Sequence, residues 1–182
     1  MPWTAPAARE AGTVHVGGSE ADVLEAVAPV GSGLAERPFL LFGQQTVADP
    51  TRAPAGQHTA WAYTHGPQEA DWEHETEAHV ERVEAQIERF APGFRDLILA
   101  RHVQSPADLQ RRNANLIGGD VGAGSYTLDQ TIFRPVPSLS PYRTPLRGLY
   151  IGSASTFPGG AVHGVPGHAA ARVALLEQRV RR

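Results

Sequence analysis

The chain has 182 residues, 41% hydrophobic and 19% charged, with a formal net charge of −3. That composition supports a packed core and supplies no electrostatic footprint for nucleic acid or acidic lipid. The 16 basic residues are all Arg and there is no Cys, which excludes disulfide scaffolds, zinc–thiolate sites, thiol nucleophiles, Walker-type phosphate loops and Schiff-base chemistry. No apolar run reaches the roughly 18 residues of a transmembrane segment. The start, Met1-Pro2-Trp3-Thr4-Ala5-Pro6, has neither the basic residues nor the apolar stretch of a signal peptide, so a soluble cytoplasmic protein is expected.

In chain order, Thr13 to Val16 predicts a short strand, and Ser19 an N-cap for a helix through Ala28 with Val23, Leu24 and Val27 on one face. The continuous apolar run Pro38 to Gly43 predicts a buried strand. A turn-rich stretch from Asp49 to Gly56 precedes a second alternating segment, His58 to Tyr63, read as another strand. The clearest helix covers Asp71 to Phe90. Trp72, Thr76, Val80, Val83, Ile87 and Phe90 recur on one face, and Glu73, Glu77, Glu81, Glu84 and Glu88 form a solvated opposite face. A short strand is expected near Ala100 to Val103, then a Ser105-capped helix to about Arg112. A Gly-rich run, Ile117 to Gly124, and a Pro-rich run, Arg134 to Pro145, suit connections rather than elements. The C-terminal unit reads as a strand at Gly148 to Ile151, a Gly-dense loop, and a helix from about Pro166 to Arg181. The order gives no clean alternation of strands and helices. The fold class expected is α+β, with a mixed or antiparallel sheet and helices followed by a strand–Gly-rich loop–helix unit.

Two motifs fail on geometry. His74 and His79 are five residues apart, about 140° around a helix, whereas a metalloprotease pair needs i and i+4; both are read as surface histidines, and no metal site is expected. The Ile117–Gly124 run does not match GxGxxG, and no helix with an acidic residue at the required distance follows it. The informative stretch is Gly148 to Ala171, where a strand leads through Gly152-Ser153-Ala154-Ser155-Thr156-Phe157-Pro158-Gly159-Gly160-Ala161-Val162-His163-Gly164 into an Ala-rich helix start. Small residues permit close approach of a flat ligand, and amide donors before a helix seat an anionic group. A ligand-free strand–helix corner satisfies the same residues. Ser155 stands in no GxSxG elbow, which argues against a hydrolase.

This stretch resembles the C-terminal flavin-binding motif of the phytoene-desaturase-like FAD-dependent oxidoreductases, related to carotenoid desaturases and flavin amine oxidases. Asn113 to Asp120, Leu128 to Pro135, Pro141 to Pro145, Asp49 to Gly56 and Gln86 to Phe94 also resemble segments of that family, so the resemblance covers essentially the whole chain. It departs from the family in lacking the GxGxxG that holds the FAD pyrophosphate, and in carrying Phe157 and Ala161 where other residues are common.

The resemblance implies residues 1–135 as part of a substrate-binding domain and 136–182 as the last strand and helix of an FAD-binding domain. It implies FAD as cofactor. Ser153, Ala154 and Ser155, with Gly152, would lie by the ribityl chain and flavin edge. Gly159, Gly160 and the amides of Ala161, Val162 and His163 would lie at the pyrimidine end. It implies hydride transfer from a C–H of an apolar small-molecule substrate to flavin N5, with no side-chain acid or base required. His163 is the weak catalytic candidate, as a proton relay, against a hydrogen-bonded structural role. Asp120, Tyr142 and Arg143 are pocket or lobe-junction residues, against a structural role. The expected partner is a chain carrying the N-terminal FAD domain, or a second copy through self-association. The rival reading is a non-catalytic remnant serving as a ligand- or protein-interaction module.

Overall fold

The apolar run around Leu40 becomes the middle strand of a three-stranded antiparallel sheet. The computed structural model describes residues 1–27, 33–67 and 70–180, and the chain divides into two compact units, Met1–Ala107 and Asp108–Arg182. The α+β class holds, with seven α-helices and three strands among the described residues.

The first unit runs α1 (Pro6–Glu10), β1 (Thr13–Val16), α2 (Glu20–Val27), β2 (Leu40–Gln44), α3 (Gln45–Ala48), β3 (Ala60–Thr64) and α4 (Trp72–Phe90). In the register, Val14 faces Phe42 and Val16 faces Leu40, while Phe42 also faces Ala62. Paired residues share a sheet face, so Val14, Val16, Leu40 and Phe42 point together to the core. There they meet Trp3, Ile87 and Ala91. Phe42 lies edge-on to Trp3 at 5.3 Å and to Phe94 at 6.0 Å. Buried Gln44 is fully used: it accepts from Trp3 Nε1 (2.8 Å) and donates to the carbonyls of Ala8 (2.8 Å) and Ala11 (2.7 Å). The opposite face carries Trp61 and Tyr63, exposed and stacked with centroids 5.6 Å apart.

The N-cap expected at Ser19 is a capping box. Its hydroxyl accepts from the Asp22 amide (3.2 Å), and the Asp22 carboxylate accepts from the Ser19 amide and hydroxyl (2.8 Å each). Those Ser19 bonds, with Arg89 and Arg37 nearby, lower the Asp22 carboxyl to about 2. Ala28, the expected end of this helix, lies outside the described residues, as does Arg181 at the far end of the chain.

Four expectations change. First, His79 is not a surface residue: it is 6% exposed, edge-on to Trp72 at 5.6 Å, and neither ring nitrogen has a partner among the described residues. It stands seven residues after Trp72, two turns along the same helix face. Second, the acidic face of α4 is not merely solvated. Glu77 and Glu84 both hold Arg101, and Glu88 caps the helix end by accepting from the amides of Gly93 (2.6 Å) and Arg95 (2.9 Å). Third, Ala100 to Val103 forms no strand. The segment is tied to α4 by the Arg101 side chain instead of by a backbone ladder. Fourth, Gly148 to Ile151 contributes one antiparallel bridge, Arg143 to Tyr150, rather than a strand. A strand needs a neighbour along its length to pair with, and the sheet of the described residues is built entirely from β1, β2 and β3.

Burial, and secondarily Arg82, pushes the His79 pKa below its usual value. The folded state then binds fewer protons than the unfolded state, so stability falls as pH drops below the ordinary 6.5. His79→Leu is expected to remove that loss, gaining more stability near pH 5 than near pH 8. Urea unfolding across that range checks it; an equal gain at both ends would contradict the assignment.

The second unit contains most of α5 (Pro106–Arg112), then α6 (Leu128–Ile132) and α7 (Val165–Val180). Its buried residues include Arg134, Thr156 and Ala170, while Leu128, Leu139, Val162 and Val180 are each at least 85% exposed. No helix among the described residues is long and apolar enough to cross a membrane.

Candidate functional site

Helix α7 begins at Val165, with Pro166 buried in its first turn. The loop before it is built by local hydrogen bonds. Thr156 is fully buried, and both its amide (3.0 Å) and its hydroxyl (2.9 Å) donate to the Ser153 carbonyl. The Thr156 carbonyl accepts from the Gly159 amide at 2.8 Å, and Gly159 has φ +102°, a conformation that favours glycine. Ser153 and Ser155 share a hydrogen bond between hydroxyls at 2.5 Å. The loop is held from outside by the Tyr142 hydroxyl, which donates to the Phe157 carbonyl at 3.2 Å.

Gly152 serves helix packing. A Cβ there would lie 3.0 Å from the Gly167 Cα and 3.6 Å from the Ala170 Cβ. Small residues at the start of α7 therefore let the loop approach the helix. Lower on α7, Glu177 accepts from the Tyr150 hydroxyl (2.7 Å) and pairs with Arg143 Nε (2.6 Å). Asp120 accepts from the amides of Gly122 and Gly124, both at 2.6 Å. Asp120, Tyr142 and Arg143 thus all carry structural bonds.

Of the amides expected to face a ligand, two are engaged within the unit. The His163 amide donates to the Ala161 carbonyl (2.9 Å), and the Gly160 amide to the Tyr126 hydroxyl (3.2 Å). The amides of Ala161 and Val162 have no partner among the described residues, and Val162 is fully exposed. His163 Nδ1 accepts from the Val165 amide at 3.3 Å, which gives the ring a capping role at the start of α7. The structure therefore presents two adjacent free donors, the Ser153 and Ser155 hydroxyls, and the positive end of a 16-residue helix with no acidic residue in its first turn.

Two residues that the motif does not contain hold this loop, Tyr126 and Arg134. Arg134 is 1% exposed, donates to the carbonyls of Gly122, Ala123, Gly124 and Ser125, and lies 4.7 Å from the Tyr126 ring centroid. No periodicity signals them. Arg134 falls in the Leu128 to Pro135 segment that resembles the family, but nothing there gives it this role, and Tyr126 is marked only as an aromatic beside a Gly-rich run.

No protein-family model matches the chain. It is 37% identical over 149 residues to the mouse pyridine nucleotide-disulfide oxidoreductase domain-containing protein 2, covering 78% of this chain and 26% of that protein. The rat protein of the same name is 35% identical over 150 residues, with the same shares. One of the subunits of limonene dehydrogenase from Castellaniella defragrans is 27% identical over 136 residues, 70% of this chain and 25% of that protein. The chain spans about a quarter of the length of these relatives. Over most of its own length it is thus similar to one part of proteins named as oxidoreductases or as a dehydrogenase component.

The residues present fit one end of a flavin. The two free amides and the helix start suit a carbonyl edge that gains negative charge, and the exposed hydroxyls suit a polyol chain.

Proposed function

We propose that the chain is the C-terminal part of a phytoene-desaturase-like, FAD-dependent oxidoreductase. The observation that carries this reading is the loop–helix corner from Gly152 to Pro166, where free amides of Ala161 and Val162 precede α7 in the motif order of that family. Bound FAD supplies the hydride acceptor. The chain's own residues hold and orient it. Ala161 and Val162 donate to its pyrimidine edge, the α7 start favours the charge of its reduced form, and Ser153 and Ser155 bind along its ribityl chain. Gly152, Gly159 and Gly160 let that wall pack closely on α7 and Tyr126, and Ala154 adds only a methyl to it. His163 holds the helix start through its bond to the Val165 amide and carries no proton transfer in this scheme.

In this scheme residues 1–135 belong to the substrate side and 136–182 to the cofactor side. An apolar substrate agrees with the uncharged sheet face bearing Trp61 and Tyr63, and with a relative named for limonene, a hydrocarbon. A partner chain supplying the rest of the FAD site, or a second copy, agrees with the apolar side chains left exposed in the second unit. The same exposure favours the rival reading, a ligand- or protein-binding module without redox turnover.

The test is the visible spectrum of the purified chain after incubation with FAD and gel filtration, with light scattering on the same column. Flavin absorbance travelling with the protein, reduced on mixing with an apolar donor, is the expected result. Flavin-free protein, alone and with the partner reading frame co-expressed, would sink the cofactor reading in favour of the module.

A further inference from the structure

We propose that Tyr126 and Arg134 are positioning residues for the Gly159–Gly160 turn, setting the direction of the Ala161 and Val162 amides; the consequence for cofactor binding rests on the flavin reading above. Arg134 is the centre of the arrangement. Its guanidinium donates to four consecutive carbonyls, those of Gly122 (2.9 Å), Ala123 (2.9 Å), Gly124 (3.2 Å) and Ser125 (3.1 Å). The two terminal nitrogens of the cation share the curl: Nη2 gathers the carbonyls of Gly122, Ala123 and Gly124, and Nη1 takes that of Ser125. Asp120 closes the curl from the other side through the Gly122 and Gly124 amides. The next residue outward is Tyr126, whose ring lies against the guanidinium and is fixed there by cation–π attraction.

The phenol oxygen of Tyr126 then accepts from the Gly160 amide, 34 residues away in sequence. The double glycine is shaped around these two side chains. A Cβ on Gly159 would stand 3.3 Å from Tyr126 Cε1 and 3.6 Å from Arg134 Nη1, and one on Gly160 would stand 3.4 Å from the Tyr126 oxygen. The two free donors follow immediately after the amide that Tyr126 holds. Orienting that peptide orients them, and donors held in place before a ligand arrives bind it without the ordering cost that mobile donors incur.

Three forms of the full chain test this: wild type, Tyr126→Phe and Tyr126→Leu. The first substitution removes only the acceptor oxygen, and the second removes the ring as well. Amide exchange, measured without flavin, is expected to rise about fivefold or more at Gly160, the amide that Tyr126 holds, in Tyr126→Phe while the β2 amides are unchanged. Equal exchange in wild type and Tyr126→Phe overturns the proposal whatever the cofactor. FAD titration, followed by flavin fluorescence and by the shape of the flavin absorption band, is expected to give binding about fivefold to tenfold weaker in Tyr126→Phe and weaker again in Tyr126→Leu, with the urea midpoint of Tyr126→Phe unchanged. Affinity falling only in step with the urea midpoint reduces Tyr126 to a stability role and overturns positioning. Tighter binding in Tyr126→Leu makes the ring an obstruction and overturns it as well. Wild type that never binds FAD, alone or with the partner chain, yet shows the exchange difference, sinks the flavin reading and leaves the positioning of the turn supported.

Discussion

Arg134→Met is expected to destabilise the second unit by about 3 kcal/mol, the loss of several hydrogen bonds from a charged donor offset in part by rehydration of the freed carbonyls. The physical case is the concentration of bonds on one group. A side chain 1% exposed donates to four carbonyls in succession, and no neighbouring side chain can replace it. Methionine keeps the apolar stem but is shorter and uncharged, so the effect reports the loss of the whole guanidinium, its hydrogen bonds and its contact with Tyr126 together. Among its hydrogen bonds, only the loop from Gly122 to Ser125 depends on it directly. Limited proteolysis should therefore cut within residues 120–134 in the variant long before the sheet of the first unit is attacked. Cleavage rates and a urea midpoint equal to those of the wild type would show that Arg134 contributes nothing there. Arg134→Lys is expected to recover less than half of the loss, because one ammonium on a shorter stem replaces the two nitrogens between which the four carbonyls are shared.

Phe42→Ala should cost the first unit about 3–5 kcal/mol, the range for deleting a buried aromatic ring. Phe42 is 2% exposed, stands on the central strand, and is gripped edge-on by Trp3 and Phe94. Trp3 comes from the start of the chain and Phe94 from beyond α4, so neither can follow a shrinking side chain without giving up its own contacts. Trp3 would have to leave Gln44. Domains of this size hold about 5–15 kcal/mol in total, so much of that margin would go. Urea unfolding monitored by tryptophan emission, with amide exchange at Val14 and Ala62 on the flanking strands, measures the loss. A shift under about 1 kcal/mol would mean that the core around Phe42 is loosely packed.

Much of the fold is legible in the sequence because the responsible signals are local. The apolar run at residues 38–43 has no polar face to show water, so it belongs in the middle of a sheet, and β2 is that strand. The three- and four-residue recurrence from Trp72 to Phe90 can place its apolar groups on one side only as a helix, and α4 spans those residues. Ser19 followed by Asp22 writes its own capping box. One-dimensional patterns mislead where they must name partners. Residue type places His79 at the surface, yet its helix phase from Trp72 buries it. Gly148 to Ile151 has strand composition but only a single bridge, because a strand is a relation between segments and composition names only one of them.

The candidate site divides in the same way. The amino-acid sequence by itself determined that a loop of small residues runs into a helix between Gly152 and Pro166, since glycine, proline and alanine shape the backbone wherever they stand. It also determined the similarity to part of known oxidoreductases. Tertiary structure alone decided which amides of that loop are free. The Tyr126 hydroxyl takes the Gly160 amide and the Ala161 carbonyl takes that of His163, leaving the Ala161 and Val162 amides as donors. It also decided that Gly152 is small for the sake of Gly167, and that Arg134 organises a loop about ten residues before it. Several of these contacts join groups far apart along the chain. Their energies depend on distances of a few ångströms that no local pattern encodes, and they arise only when folding brings the segments together.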